Sequence, residues 1–88
     1  MMKKSEFMRK EFVGLEMEVA SSNHPAYLKV KGRVTGETKN TILVDVGPKE
    51  VTVPKPGNEF LFTYEGERFT VKGSEIQHRP EDRIKKIR

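Results

Sequence analysis

Eighty-eight residues allow one small domain with a single modest core, and an equal share of hydrophobic and charged residues, 34% each, gives that core polar ends. The chain has no cysteine, which excludes a disulfide or thiolate–metal framework, and neither histidine stands in a metal-ligand spacing. The net charge of +4 is terminal: residues 1–12 carry +2, residues 13–75 carry −1 and residues 76–88 carry +3, which suits either phosphate contact or a pair of solvated tails.

In chain order, Ser5 is placed to cap a short helix running through Phe12, with Met8, Phe12 and Leu15 at helical spacing and Gly14 as its stop. From Leu15 the period changes to two: Leu15, Met17 and Val19 alternate with Glu16 and Glu18 as in a half-buried strand, which the Ser21-Ser22-Asn23-His24-Pro25 cluster ends. A second strand is expected with Leu28, Val30 and Val34 on one face and Lys29, Lys31 and Arg33 on the other, Gly32 permitting a bend. Asn40, in the Thr38-Lys39-Asn40-Thr41 turn, tolerates a left-handed conformation, and Ile42, Val44 and Val46 form the next inward face up to Gly47-Pro48.

Val51 and Val53 make a brief strand ended by Pro54-Lys55-Pro56-Gly57-Asn58. Phe60, Phe62 and Tyr64 turn at Glu65-Gly66-Glu67 and are answered by Phe69 and Val71, a hairpin. Several short strands with turn signals between them predict an all-β protein, and the length favours a small barrel. Pro80 suits the first position of a closing helix, with Glu81 and Asp82 at its positive end and Lys85, Lys86 and Arg88 at its negative end. It is too short to stand alone, so it is expected to dock through Ile84 and Ile87. The organisation is a basic N-terminal segment with a short helix (1–14), a barrel (15–77) and a basic C-terminal helix (78–88). No apolar run approaches the roughly 20 residues of a membrane span, and the first ten residues lack the apolar stretch of a secretory signal. A cytoplasmic protein without membrane contact is expected.

The residues singled out for RNA or partner binding are Lys10, Lys29, Lys31, Arg33, Lys39, Arg79, Arg83, Lys85 and Lys86. Lys29, Lys31 and Arg33 share a face under period-two geometry, which describes a binding surface and a merely soluble outer sheet face equally well. Phe60, Phe62, Tyr64 and Phe69 could be taken for a base-stacking platform, but alternation within a hairpin favours core packing. His24 and His78 read as surface histidines. No local Ser-His-acid arrangement points to catalysis, and Asp45 and Glu50, which could hold Mg²⁺, read more simply as outward strand residues.

Glu11-Phe12-Val13-Gly14-Leu15, Gly32 to Thr41 followed by Ile42-Leu43-Val44, Val53-Pro54-Lys55, and Arg79-Pro80-Glu81-Asp82-Arg83-Ile84-Lys85-Lys86 together resemble archaeal ribonuclease P protein component 1, in order and spacing over nearly the whole chain. The resemblance implies a twisted Sm-like antiparallel barrel of about six strands with short terminal helical segments. It implies an RNA-binding subunit that holds no catalytic site, supporting the ribonuclease P RNA as that RNA cleaves the 5′ leader from precursor tRNA. It further implies a heterodimer with the zinc-binding protein subunit, whose docking could claim the second strand's basic face. No cofactor is expected on this chain; Mg²⁺ is expected on the catalytic RNA. Other readings are a different RNA-associated small barrel, ribosome-bound or ring-forming, and a protein–protein adaptor with basic ends.

Overall fold

Period-two alternation does build the sheet. A computed structural model describes residues 2–86, in which six antiparallel strands follow one another: β1 (Glu16–Ser22), β2 (Lys31–Glu37), β3 (Thr41–Asp45), β4 (Glu50–Pro54), β5 (Asn58–Tyr64) and β6 (Glu67–Lys72). Their order in the sheet is β4-β3-β2-β1-β5-β6. Two short helices flank it, α1 (Lys4–Phe7) and α2 (Pro80–Lys86), with single 3₁₀ turns at Pro25–Tyr27 and Gly73–Ile76. Met17 and Val19 of β1, Phe60 and Phe62 of β5, and Phe69 and Val71 of β6 all turn inward on one core. The aromatic set therefore packs the interior, as alternation implied. At the β5–β6 turn Glu65 and Gly66 both have positive φ, 49° and 82°, the backbone sense that matches the twist of a tight hairpin.

The sheet curls, but its edge strands β4 and β6 form no ladder with each other. The gap between them is closed by close backbone contact: a Cβ on Gly73 would overlap the Lys55 carbonyl group. Glycine is required there because two main chains touch.

Four local expectations change. The first helix ends at Phe7, and Ser5 is inside it; the N-cap is Lys3, with no side-chain bond. It stops early because the Met8 and Lys10 carbonyls, which a longer helix would pair with downstream amides, instead accept from Arg83. Phe7 and Phe12 are both fully buried, Phe7 stacked on Phe69 at 4.4 Å and Phe12 on Phe62 at 4.4 Å. Second, β1 continues through Ser21 and Ser22 by absorbing a bulge between Val19 and Ser21. Third, Pro25 starts a turn, and the successive bonds Leu28 N–H to Pro25 O and Val30 N–H to Tyr27 O break the alternation before β2 begins. Leu28 is left exposed, and Lys29 falls outside the strand. Fourth, Gly32 marks a close approach and not the bend: a Cβ there would overlap the Asp45 carbonyl oxygen, while the register shift lies between Val34 and Gly36.

Candidate nucleic-acid interface and the clamp beneath it

The shift in β2 decides which way Glu37 faces. Val34 pairs with Val44, both buried; one extra residue follows, after which Gly36 pairs with Leu43 and Glu37 with Ile42, which is also buried. Strict alternation from Val34 would send Glu37 outward. The bulge turns it inward, because directly paired residues share a face of the sheet.

Glu37 there meets two cations from distant parts of the chain. Arg83 of α2 donates from Nε to Glu37 Oε2 at 2.9 Å and from Nη2 to Oε1 at 2.8 Å, a two-pronged pair. Lys55, between β4 and β5, donates from Nζ to Oε2 at 2.8 Å. The side chains of Arg83 and Lys55 are 0% exposed and that of Glu37 is 1% exposed. One carboxylate against two cations leaves an excess positive charge, which main-chain oxygens absorb. Arg83 Nη1 donates to Met8 O at 2.6 Å and Lys10 O at 2.5 Å, and Lys55 Nζ donates to Ile76 O at 2.8 Å and His78 O at 3.1 Å. The Arg83 guanidinium also lies 3.7 Å over the Phe12 ring, where the ring face favours a cation. Burial pushes the Lys55 ammonium below its ordinary pKa, against the opposing pull of the Glu37 carboxylate.

Arg83 is thus placed inside the protein and not on the surface where a phosphate or partner would meet it. The anchoring of α2 changes with it: Ile84 is 41% exposed, Ile87 lies outside the described residues, and Arg83 is the buried attachment.

The clamp also joins two basic segments of the chain. Arg83 brings the turn that carries Arg9 and Lys10 against α2, and Arg9 Nε reaches Ile84 O at 3.4 Å. Lys10, Arg79 and Lys85 are exposed; the side chain of Lys86 lies outside the description. Lys39 is exposed in the β2–β3 turn. Its neighbour Asn40 accepts from Gln77 Nε2 at 3.0 Å, and the Asn40 carbonyl accepts from Lys55 N–H at 2.7 Å. The turn is therefore tied to the segment leading into α2. Asn40 does not use a left-handed backbone; its contribution is these two bonds, and the turn closes through Thr38 and Thr41.

The other basic group is different in kind. Lys31 pairs across the sheet with Glu18, and Arg33 with Glu16 and Asp45, so acidic neighbours surround them on the outer face. Arg33 Nη2 lies 3.7 Å from Glu16, and Arg68 of β6 takes Glu18 at 3.0 Å. This face is a mosaic of both signs, while the ends around the clamp carry an excess of cations, with Glu6, Glu11 and Glu81 exposed among them. His24 is exposed and His78 half-buried, and among the described residues no three His, Cys, Asp or Glu side chains gather as a metal site.

The reading from sequence missed Glu37 and Lys55 as a pair. Both stand in the stretches that carried the resemblance, and a lysine held between Pro54 and Pro56 directly after a strand was the available signal for a fixed, non-solvated side chain.

Residues 5–86 match the family described as ribonuclease P/MRP, subunit p29. The chain is 48% identical over 79 residues to ribonuclease P protein component 1 of Methanosphaera stadtmanae, covering 89% of this chain and 85% of that protein. It is 42% identical over 78 residues to the Thermoplasma volcanium protein of the same name, covering 89% and 84%. The solved structure of Mth11, a homologue of human RNase P protein Rpp29, superposes with a TM-score of 0.64 at 36% identity, covering 85% of this chain and 99% of that one. The matched residues include most of both terminal segments and all three clamp positions, Glu37, Lys55 and Arg83.

Proposed function

The chain belongs to the ribonuclease P/MRP subunit p29 family, and from that premise we propose which of its surfaces meets RNA. It is a protein subunit of the ribonuclease P endoribonuclease, the tRNA-processing complex that removes the 5′ leader from precursor tRNA. The RNA surface is the group of exposed cations around the clamp, Lys10, Lys39, Arg79 and Lys85, with Lys86 assigned to it from sequence. The observation that carries this is the pair of bonds from Arg83 to the Met8 and Lys10 carbonyls, which hold two separate basic segments of the chain at one place. A fixed cluster of cations is what a phosphate backbone recognises without reading sequence.

The face bearing Lys31 and Arg33 is assigned to a protein partner, the zinc-binding subunit of the complex, with Lys29 at its margin. Its alternating charges support this, since they offer a protein surface complementary pairs and a polyanion as much repulsion as attraction. The bond-breaking chemistry belongs to the RNA subunit with its Mg²⁺, in the cytoplasm, and this chain stabilises the RNA fold and helps bring substrate to it.

Reconstitution tests the reading. With ribonuclease P RNA and the other protein subunits present, omitting this chain should lower precursor-tRNA cleavage, and the chain alone should cleave nothing. Cleavage by the purified chain that vanishes with one carboxylate or histidine substitution would refute the supporting role.

Replacing Lys10, Arg79 and Lys85 with Ala separates the two faces. RNA affinity should fall, and the slope of log affinity against log salt should shrink by about 0.7 to 0.9 for each phosphate that the variant no longer neutralises. Replacing Lys31 and Arg33 should instead weaken pairing with the zinc-binding subunit and leave that slope unchanged. The opposite pattern would exchange the two assignments.

A further inference from the structure

We infer that Glu37, an acidic residue whose side chain is turned inside the protein, is the positioning residue that assembles the cationic face for RNA, an inference resting on the assignment of that face proposed above. Electrostatics alone predicts the reverse. A negative charge removed from a protein that binds a polyanion should tighten binding and steepen its salt dependence.

The geometry points the other way, because the Glu37 carboxylate is the group that Arg83 and Lys55 share. Each cation then spends its remaining donors on the backbone of a different segment, Arg83 on Met8 and Lys10 and Lys55 on Ile76 and His78. One side chain on a rigid strand thereby fixes the N-terminal turn and the approach to α2 at once. Without it, two buried cations face each other with no counter-charge, and the cheapest relief is for Arg83 to leave for water. With seven residues and a half-exposed Ile84, α2 cannot hold its place or its helix without that anchor. The N-terminal turn is held on either side by the stacked rings of Phe7 and Phe12, so it loosens while the core stays closed. The outcome is a protein with one more net positive charge and a weaker grip on RNA, because the segment of Arg79 and Lys85 is no longer tied to the turn that carries Lys10.

The test is Glu37→Gln in the full chain, assembled with ribonuclease P RNA and the other subunits, and read by RNA affinity across a salt series and by hydrogen exchange of the free protein. We expect at least a tenfold loss of RNA affinity and a shallower salt slope. Protection should be lost at residues 83–86 and at Lys10, and kept in β1 and β5. Glu37→Asp, which keeps the charge but shortens its reach, should show the same pattern more weakly. Unchanged or tighter RNA binding with α2 still protected would overturn the inference. So would loss of protection in β1 and β5 together with the ends, which would make Glu37 a general stability residue. Failure of the underlying assignment looks different: α2 would be released in Glu37→Gln, yet RNA affinity would be unmoved both there and in the Lys10, Arg79, Lys85 triple variant.

Discussion

Gly73→Ala is expected to cost more than about 4 kcal/mol, the range reached only by a few severe mechanisms, and to lower Tm by roughly 15–30 °C at about 4–8 °C per kcal/mol for a domain of this size. The added Cβ would overlap the carbonyl oxygen and carbon of Lys55 and lie 2.9 Å from its Cα. Every one of these is backbone, so no rotamer change relieves the clash. The loop between β4 and β5 must move away, and Lys55 Nζ then leaves Glu37, Ile76 and His78 together. Closure of the barrel at the β4–β6 gap fails in the same step. Gly36→Ala is the control: its Cβ would meet the Leu43 side chain at 3.7 Å, an ordinary approach, and should change stability by less than about 1 kcal/mol. Thermal unfolding followed by far-ultraviolet circular dichroism compares the two directly. Should Gly73→Ala melt within a few degrees of the parent, the seam is not closed as described.

Arg83→Met is expected to destabilise the protein by about 3 kcal/mol, the lower end of the cost of breaking a buried ion pair. It stays at the lower end because Lys55 remains to hold the Glu37 carboxylate, and because the methionine side chain covers part of the Phe12 ring that the guanidinium now covers. The variant gives up the two-pronged bond to Glu37 and the donor that reaches from α2 to the Met8 and Lys10 carbonyls. Arg79→Ala and Lys85→Ala, on exposed side chains of the same segment, should each shift stability by less than about 0.5 kcal/mol. Urea titrations of the three variants decide the matter. If Arg83→Met is no more costly than Arg79→Ala, the clamp does not hold α2, and the C-terminal basic residues would have to be treated as one equivalent group.

These contrasts separate residues that look alike in sequence. Arg79, Arg83 and Lys85 all belong to a short basic helix and its approach, and nothing local distinguishes them. The distinction comes from Glu37, forty-six positions earlier than Arg83, and from a bulge that shifts the facing of one strand by one residue. A substitution series on the C-terminal basic residues taken as a block would therefore mix weaker phosphate binding with damage to the structure.

The sequence by itself determined the strands, because side-chain alternation is a local property written in neighbouring residues. The inward aromatic hairpin of β5 and β6, the start of α2 at Pro80, the all-β class and the concentration of cations at both ends were legible in this way, and the combination of short motifs identified the family. Only the tertiary structure decided which charges are inside. Alternation read along one strand cannot register a bulge, since the extra residue exists only relative to the partner strand, and so Glu37 is turned inward unannounced. A helix period cannot forecast its own early end when the carbonyls that would continue it are taken by an arginine seventy-five positions away, as with Met8 and Arg83. Lys29 fell out of the basic row for a similar reason, through turn bonds begun at Pro25 that overrode the local pattern. A buried ion pair depends on the meeting of distant segments in space, and sequence spacing carries no record of that distance.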